Sequence, residues 1–193
     1  MRNYEERAKD FVKMLFPLID DCESVWEFRN AVQMFNRIYG RKVKCNNGIA
    51  RVAFITSDYV VKMDYDKDEV ESVGGGDNEI ALYEIAEREG FAHLFAKVTL
   101  FEYEDRRFYI MPRIRGISDH NYNYAETYMT DEERQFCKKH HLSDLHCNNY
   151  GFRNGHVCLF DYACSLDYLS SSSSDYFSSP STSPINSKDS GWS

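Results

Sequence analysis

Three polar positions late in the chain are spaced as if to work together. Asp144 and Asn149 lie in Ser143-Asp-Leu-His-Cys-Asn-Asn-Tyr-Gly-Phe152, a D-x-x-x-x-N pattern in a polar loop, and Asp161 closes the apolar run that begins at Val157. A loop carboxylate can orient a hydroxyl and take its proton. A side-chain amide and a second carboxylate are the hard oxygen donors that hold magnesium against phosphate oxygens. Upstream, Tyr59-Val-Val-Lys62 ends an apolar run on an ammonium that can reach phosphate. Each residue alone has an ordinary explanation. Asp and Asn favour turns, and a lysine after two valines is commonly a surface residue. Together the four supply residue types that phosphoryl transfer can use.

The surrounding sequence supplies elements to carry them. Val12, Leu15, Phe16 and Ile19, then Val25, Phe28, Val32 and Phe35, recur at helical spacing. Pro17 and the stretch Asp20-Asp-Cys-Glu-Ser24 predict a break between two helices, whose first expected role is packing onto the rest of the chain. Arg51–Thr56 and Tyr59–Met63 read as a hairpin turning at Ser57-Asp58. An acidic loop and Gly74-Gly-Gly76 follow, the glycines reading as a linker. Asp77 or Asn78 can then cap a helix that runs to Glu89 and stops at Gly90. Phe95–Tyr103 and Arg107–Met111 read as two further strands. Thr130-Asp-Glu-Glu133 fits a capping box for a helix to about His140. Tyr150–Phe152 and Val157–Phe160 flank Asn154-Gly155, a two-residue hairpin signal.

In this order the motifs resemble the protein kinase superfamily over roughly residues 42–167. The DLH-x-x-N form is closer to aminoglycoside phosphotransferases and small phage or bacterial kinases than to typical eukaryotic kinases. The resemblance implies an α+β, kinase-like two-lobe fold with an N-terminal helical extension and a strongly truncated C-terminal lobe. Its expected segments are 1–40 (extension), 41–114 (N-lobe), 115–169 (reduced C-lobe with the catalytic and metal loops) and 170–193 (disordered tail). It implies ATP and Mg2+ as cofactors. Asp144 would be the base, Lys62 the phosphate-binding lysine and Glu79 its helix partner, with Glu84 the alternative. Asn149 and Asp161 would hold the metal. Gly48, Ala53, Val60, Lys62, Met111, Pro112 and Ile114 would line the nucleotide site, Met111 as gatekeeper and the Pro112 carbonyl and Ile114 N–H facing adenine. The acceptor would be a protein or small-molecule hydroxyl. A kinase-like binding protein without turnover is the alternative.

The sequence departs from that pattern in defined places. The segment Asn46-Asn-Gly-Ile-Ala-Arg-Val-Ala-Phe54 keeps one glycine, Gly48, where the family's phosphate loop has several, and Arg51 is a charge that could compensate. His141-Leu-Ser-Asp144 lacks the arginine of His-Arg-Asp, so switching by a phosphorylated activation segment is not expected. His146 stands where some relatives place a lysine. Tyr162-Ala163 replaces Phe-Gly, and no Ala-Pro-Glu follows. The peptide platform is therefore expected to be absent or reduced, so that either a protein partner completes it or the substrate is not a conventional peptide.

Composition narrows the classes further. The formal net charge of -8 argues against a general nucleic-acid binder. With 14 Tyr and 13 Phe in 193 residues the chain can build a core. It shows no apolar run of membrane-spanning length and no apolar leader, so a cytoplasmic protein is expected, in the host cytoplasm if phage-encoded. Cysteines and histidines crowd residues 137–164, but without the C-x-x-C knuckles of structural zinc. Residues 170–193 are rich in serine and poor in apolar side chains, the composition of a disordered tail.

Overall fold

The computed structural model describes residues 3–48, 51–64, 75–116 and 124–162. The Ser-rich tail, Gly74 and most of the acidic loop lie outside these residues. Helices α1 (Tyr4–Ile19) and α2 (Val25–Tyr39) open the chain. Buried Ala8, Phe11, Val12, Leu15, Phe16 and Ile19 give α1 one apolar stripe. Pro17 lies inside α1, so it does not mark the break between the helices. The break is the stretch after Ile19, where Ser24 and Glu27 form a capping box that starts α2. Gly40 ends α2 in the left-handed region at φ 61°, which favours glycine.

A five-stranded antiparallel sheet follows, built from β1 (Lys44–Asn47), β2 (Arg51–Ile55), β3 (Tyr59–Asp64), β4 (Thr99–Tyr103) and β5 (Arg106–Pro112). Its order is β1-β2-β3-β5-β4, with helix α3 (Gly75–Glu89) between β3 and β4 in sequence. The alternation along the strands divides the sheet into two working faces. Val52, Phe54, Tyr59, Val61, Met63, Phe108 and Ile110 pack with the apolar stripes of α1 and α2. Burying a side chain of this size contributes about 2 kcal/mol relative to leaving it exposed. Helices α1 and α2 are thus a layer that covers one face of the sheet. The opposite face turns Tyr109 and Met111 toward α3 and the C-terminal elements, in a second core.

Two further expectations change here. Gly75 and Gly76 are buried in the first turn of α3 and do not form a linker, so the helix starts before Asp77. A Cβ on Gly76 would lie 2.2 Å from the Tyr109 ring, and one on Gly75 would lie 3.0 Å from the Arg51 guanidinium. The glycines let the helix start press against the sheet. The expected strand at Phe95 begins only at Thr99. Phe95 and Ala96 instead meet Leu159: Phe95 forms a bridge with it and the Ala96 N–H donates to its carbonyl at 2.8 Å.

The C-terminal elements are helix α4 (Asp131–Lys139) and the hairpin β6 (Tyr150–Arg153) and β7 (His156–Leu159). Thr130 and Glu133 form the capping box of α4. Asn154 and Gly155 take φ 53° and 82°, as a type I′ turn requires. Gly151 packs on the segment after β5, where a Cβ would lie 2.1 Å from the Arg115 carbonyl oxygen. Among the described residues no helix is long and apolar enough to cross a membrane.

Candidate functional site

Antiparallel register decides which side chains share the open face. Ala53 is paired with Lys62, Arg51 with Asp64, Val60 with Met111 and Lys62 with Tyr109. Residues directly opposite point the same way. Arg51, Ala53, Val60, Lys62 and Met111 therefore line one face, the one turned away from α1 and α2. Met111 is 2% exposed, while Ala53 and Val60 keep partial exposure. Pro112 ends β5 opposite Tyr59. Ile114 lies beside Gly151, and Gly48 closes the β1–β2 connection by donating its N–H to the Arg51 carbonyl at 2.8 Å.

On that face Lys62 is the hub. Its Nζ donates to Glu79 Oε1 at 2.6 Å, to the Phe160 carbonyl at 2.9 Å and to Asp161 Oδ1 at 3.3 Å. An ammonium has three protons, and these three acceptors engage all of them. Glu79 is wholly buried, whereas Glu84 is exposed, so the lysine pairs with Glu79. Arg51 joins from the start of β2. Its guanidinium lies 3.2 Å from Glu79 Oε2 and 2.9 Å from Asp161 Oδ1. Two cations and two carboxylates form one closed network. Sequence reasoning noted Arg51 only as a charge near the phosphate loop; its contact with Asp161 spans 110 positions and needs the fold.

The loop from Asp144 to Asn149 forms a second cluster. The His146 Nδ1 accepts the Asn148 N–H at 3.2 Å, which leaves Nε2 as the protonated nitrogen. That Nε2 lies 3.0 Å from Asp144 Oδ1, so the imidazole donates to the carboxylate. Asn149 Nδ2 donates to the Asp144 carbonyl at 3.0 Å. The loop is anchored by Ala125, whose N–H donates to the Leu145 carbonyl at 2.8 Å, and it is entered through His141 at φ 54°. One residue joins the two clusters through its backbone. The Phe160 N–H donates to the Asn149 carbonyl at 2.9 Å, and the Phe160 carbonyl accepts Lys62.

This donor set fits a magnesium–phosphate group. The Asn149 nitrogen is committed to the Asp144 carbonyl, which leaves the amide oxygen as the donor for a cation. Asp161 has a half-exposed side chain and receives both of its cations on Oδ1. Among the described residues no group of three or more His, Cys, Asp or Glu gathers into a metal cage. Magnesium held partly by phosphate and water needs only one or two protein carboxylates. A cleft of about 610 Å3 lies on the other side of the sheet, lined by Arg7, Phe11, Phe35, Lys42 and Tyr59, and no residue of the two clusters lines it.

Burial opposes ionisation of Asp161, but Lys62 and Arg51 outweigh it and hold its pKa below the usual carboxylate value of 3.8. A lowered folded-state pKa adds stability above the unfolded value and loses it as pH falls through the folded value. Wild-type protein should therefore lose stability below about pH 4 more steeply than Asp161→Asn. Urea midpoints measured across that range check this, and parallel acid limbs would contradict it.

No family model matches the chain. No curated protein matches it either.

Proposed function

We propose that the chain is an atypical kinase-like phosphotransferase that binds ATP and magnesium and transfers the γ-phosphoryl group to a protein or small-molecule hydroxyl. One observation carries this reading: Lys62 on the third strand is ion-paired with Glu79 on the following helix and contacts Asp161 as well. Phosphoryl transfer in the kinase superfamily depends on a third-strand lysine paired with a helix glutamate and on a metal-holding aspartate. The two-lobe kinase-like architecture with a shortened C-lobe belongs to the same proposal. Its support is the strand–strand–strand–helix–strand–strand order and the β6–β7 hairpin between Asn149 and Asp161.

In this reading Lys62 holds nucleotide phosphate and Glu79 fixes its direction. Asn149 and Asp161 hold magnesium, which when bound neutralises charge on the phosphate oxygens. Asp144 accepts the proton of the attacking hydroxyl as its oxygen bonds to the γ-phosphorus and the bond to the β-phosphate oxygen breaks, leaving ADP. His146 orients the Asp144 carboxylate. Ala53, Val60 and Met111 offer the apolar surface for adenine.

A nucleotide-binding protein with little turnover is favoured by one contact, the Arg51 guanidinium lying on the carboxylate assigned to the metal. Incubation with γ-labelled ATP, magnesium and a panel of protein and small-molecule hydroxyl acceptors separates the two. The phosphotransferase reading expects label on an acceptor or on the chain itself with wild type, and none with Asp161→Asn. ATP binding without label from wild type would establish the binding protein instead.

A further inference from the structure

Resting on the nucleotide-site reading, we propose that Arg51 is a phosphate-binding residue that exchanges between Asp161 and the nucleotide, so that ATP phosphate and magnesium cooperate by drawing it off the metal carboxylate.

The β1–β2 connection is where a kinase-like site would grip phosphate with backbone N–H groups, and here it keeps a single glycine. The residue that follows the connection is an arginine on the site face of the sheet. Its guanidinium is a planar fork suited equally to carboxylate and phosphate. Its contact with Glu79 is buried, whereas its contact with Asp161 opens on the half-exposed side of the carboxylate. Nη1 faces Glu79 Oε2 at 3.2 Å, and Nη2 bridges Glu79 Oε1 at 3.5 Å and Asp161 Oδ1 at 2.9 Å, so Glu79 can retain the guanidinium when its bond to Asp161 is exchanged. Gly75 gives the guanidinium its room, since a Cβ there would approach it to 3.0 Å.

The charge balance gives this exchange a function. Lys62 and Arg51 carry two positive charges and Glu79 and Asp161 two negative ones, so the network is neutral. Both cations sit on Asp161 Oδ1, so a magnesium ion held by that carboxylate would be repelled by them. Transfer of Arg51 to phosphate relieves that repulsion and adds a bond to the nucleotide. Each ligand then favours the arginine position the other needs, and linkage makes the effect reciprocal.

Calorimetric titration with ATP in EDTA, and again with magnesium, tests this on wild type, Arg51→Met, Asp161→Asn and the double variant. Arg51→Met is expected to weaken binding in EDTA by about tenfold, the scale of a 1.4 kcal/mol contact. Asp161→Asn, a half-exposed position that should tolerate the change, is expected to tighten binding in EDTA by releasing Arg51. That tightening should largely vanish in the double variant. An unchanged affinity in Arg51→Met overturns the proposal, as does equal tightening by Asp161→Asn in both backgrounds, which would assign the gain to Lys62. Wild type that binds ATP in neither buffer overturns the nucleotide reading itself.

Discussion

Glu79→Ala is expected to lower the unfolding free energy by about 3–5 kcal/mol, the cost of breaking a buried ion pair by removing one partner. Glu79 is 0% exposed and lies between Lys62 and Arg51 at 2.6 and 3.2 Å. Its removal leaves two poorly hydrated cations facing Asp161, whose side chain is 48% exposed and compensates weakly. On the scale of about 2–4 °C per kcal/mol for a chain of this size, the melting midpoint should fall by roughly 6–20 °C. Glu84→Ala, on the exposed side of the same helix, should change stability by less than about 0.5 kcal/mol. Urea unfolding of both variants checks the contrast. Equal effects would mean that the buried carboxylate has little to do with holding α3 against the sheet.

Asp144→Asn is expected to lower the rate of phosphoryl transfer by about 10²–10⁴-fold, the range for loss of a general base. Binding of magnesium–ATP should stay within about twofold of wild type, because the affected interaction forms only as the hydroxyl proton moves. Asparagine can still accept the His146 Nε2–H that now lies 3.0 Å from Asp144 Oδ1, so the loop keeps its geometry. His146→Ala should fall between the two, since the carboxylate is retained but loses its orienting partner. A transfer rate unaffected by Asp144→Asn would make Asp144 an ordinary turn residue and move the base elsewhere.

Much of the site could be read from the sequence because local pattern places it. Lys62 is the one charged side chain in the apolar run Tyr59–Met63, and Asn154-Gly155 dictates a hairpin that brings Phe160 and Asp161 back past Asn149. The capping pair Thr130 and Glu133 marks the start of α4 with equal clarity. The parts that were missed depend on contacts distant in sequence. Strand β1, Lys-Cys-Asn-Asn, has no apolar alternation because it is an exposed edge strand paired only with β2. Three glycines in a row suggest a linker, and only the Tyr109 ring across the sheet reveals why two of them belong inside a helix. Pro17 reads as a breaker, yet in the last turn of α1 the helix is about to end. The bond from Arg51 to Asp161 joins the start of β2 to the end of the described chain, and no local rule connects them.

Stabilisation against heat by magnesium–ATP tests most directly whether Lys62 holds nucleotide phosphate. A ligand at about one hundred times its dissociation constant raises the folding free energy by about 2.7 kcal/mol. Wild type should show a rising midpoint as magnesium–ATP is added, and Lys62→Met, compared with its own ligand-free midpoint, should show none. A wild-type midpoint that ignores magnesium–ATP, or an equal rise in Lys62→Met, would contradict the assignment.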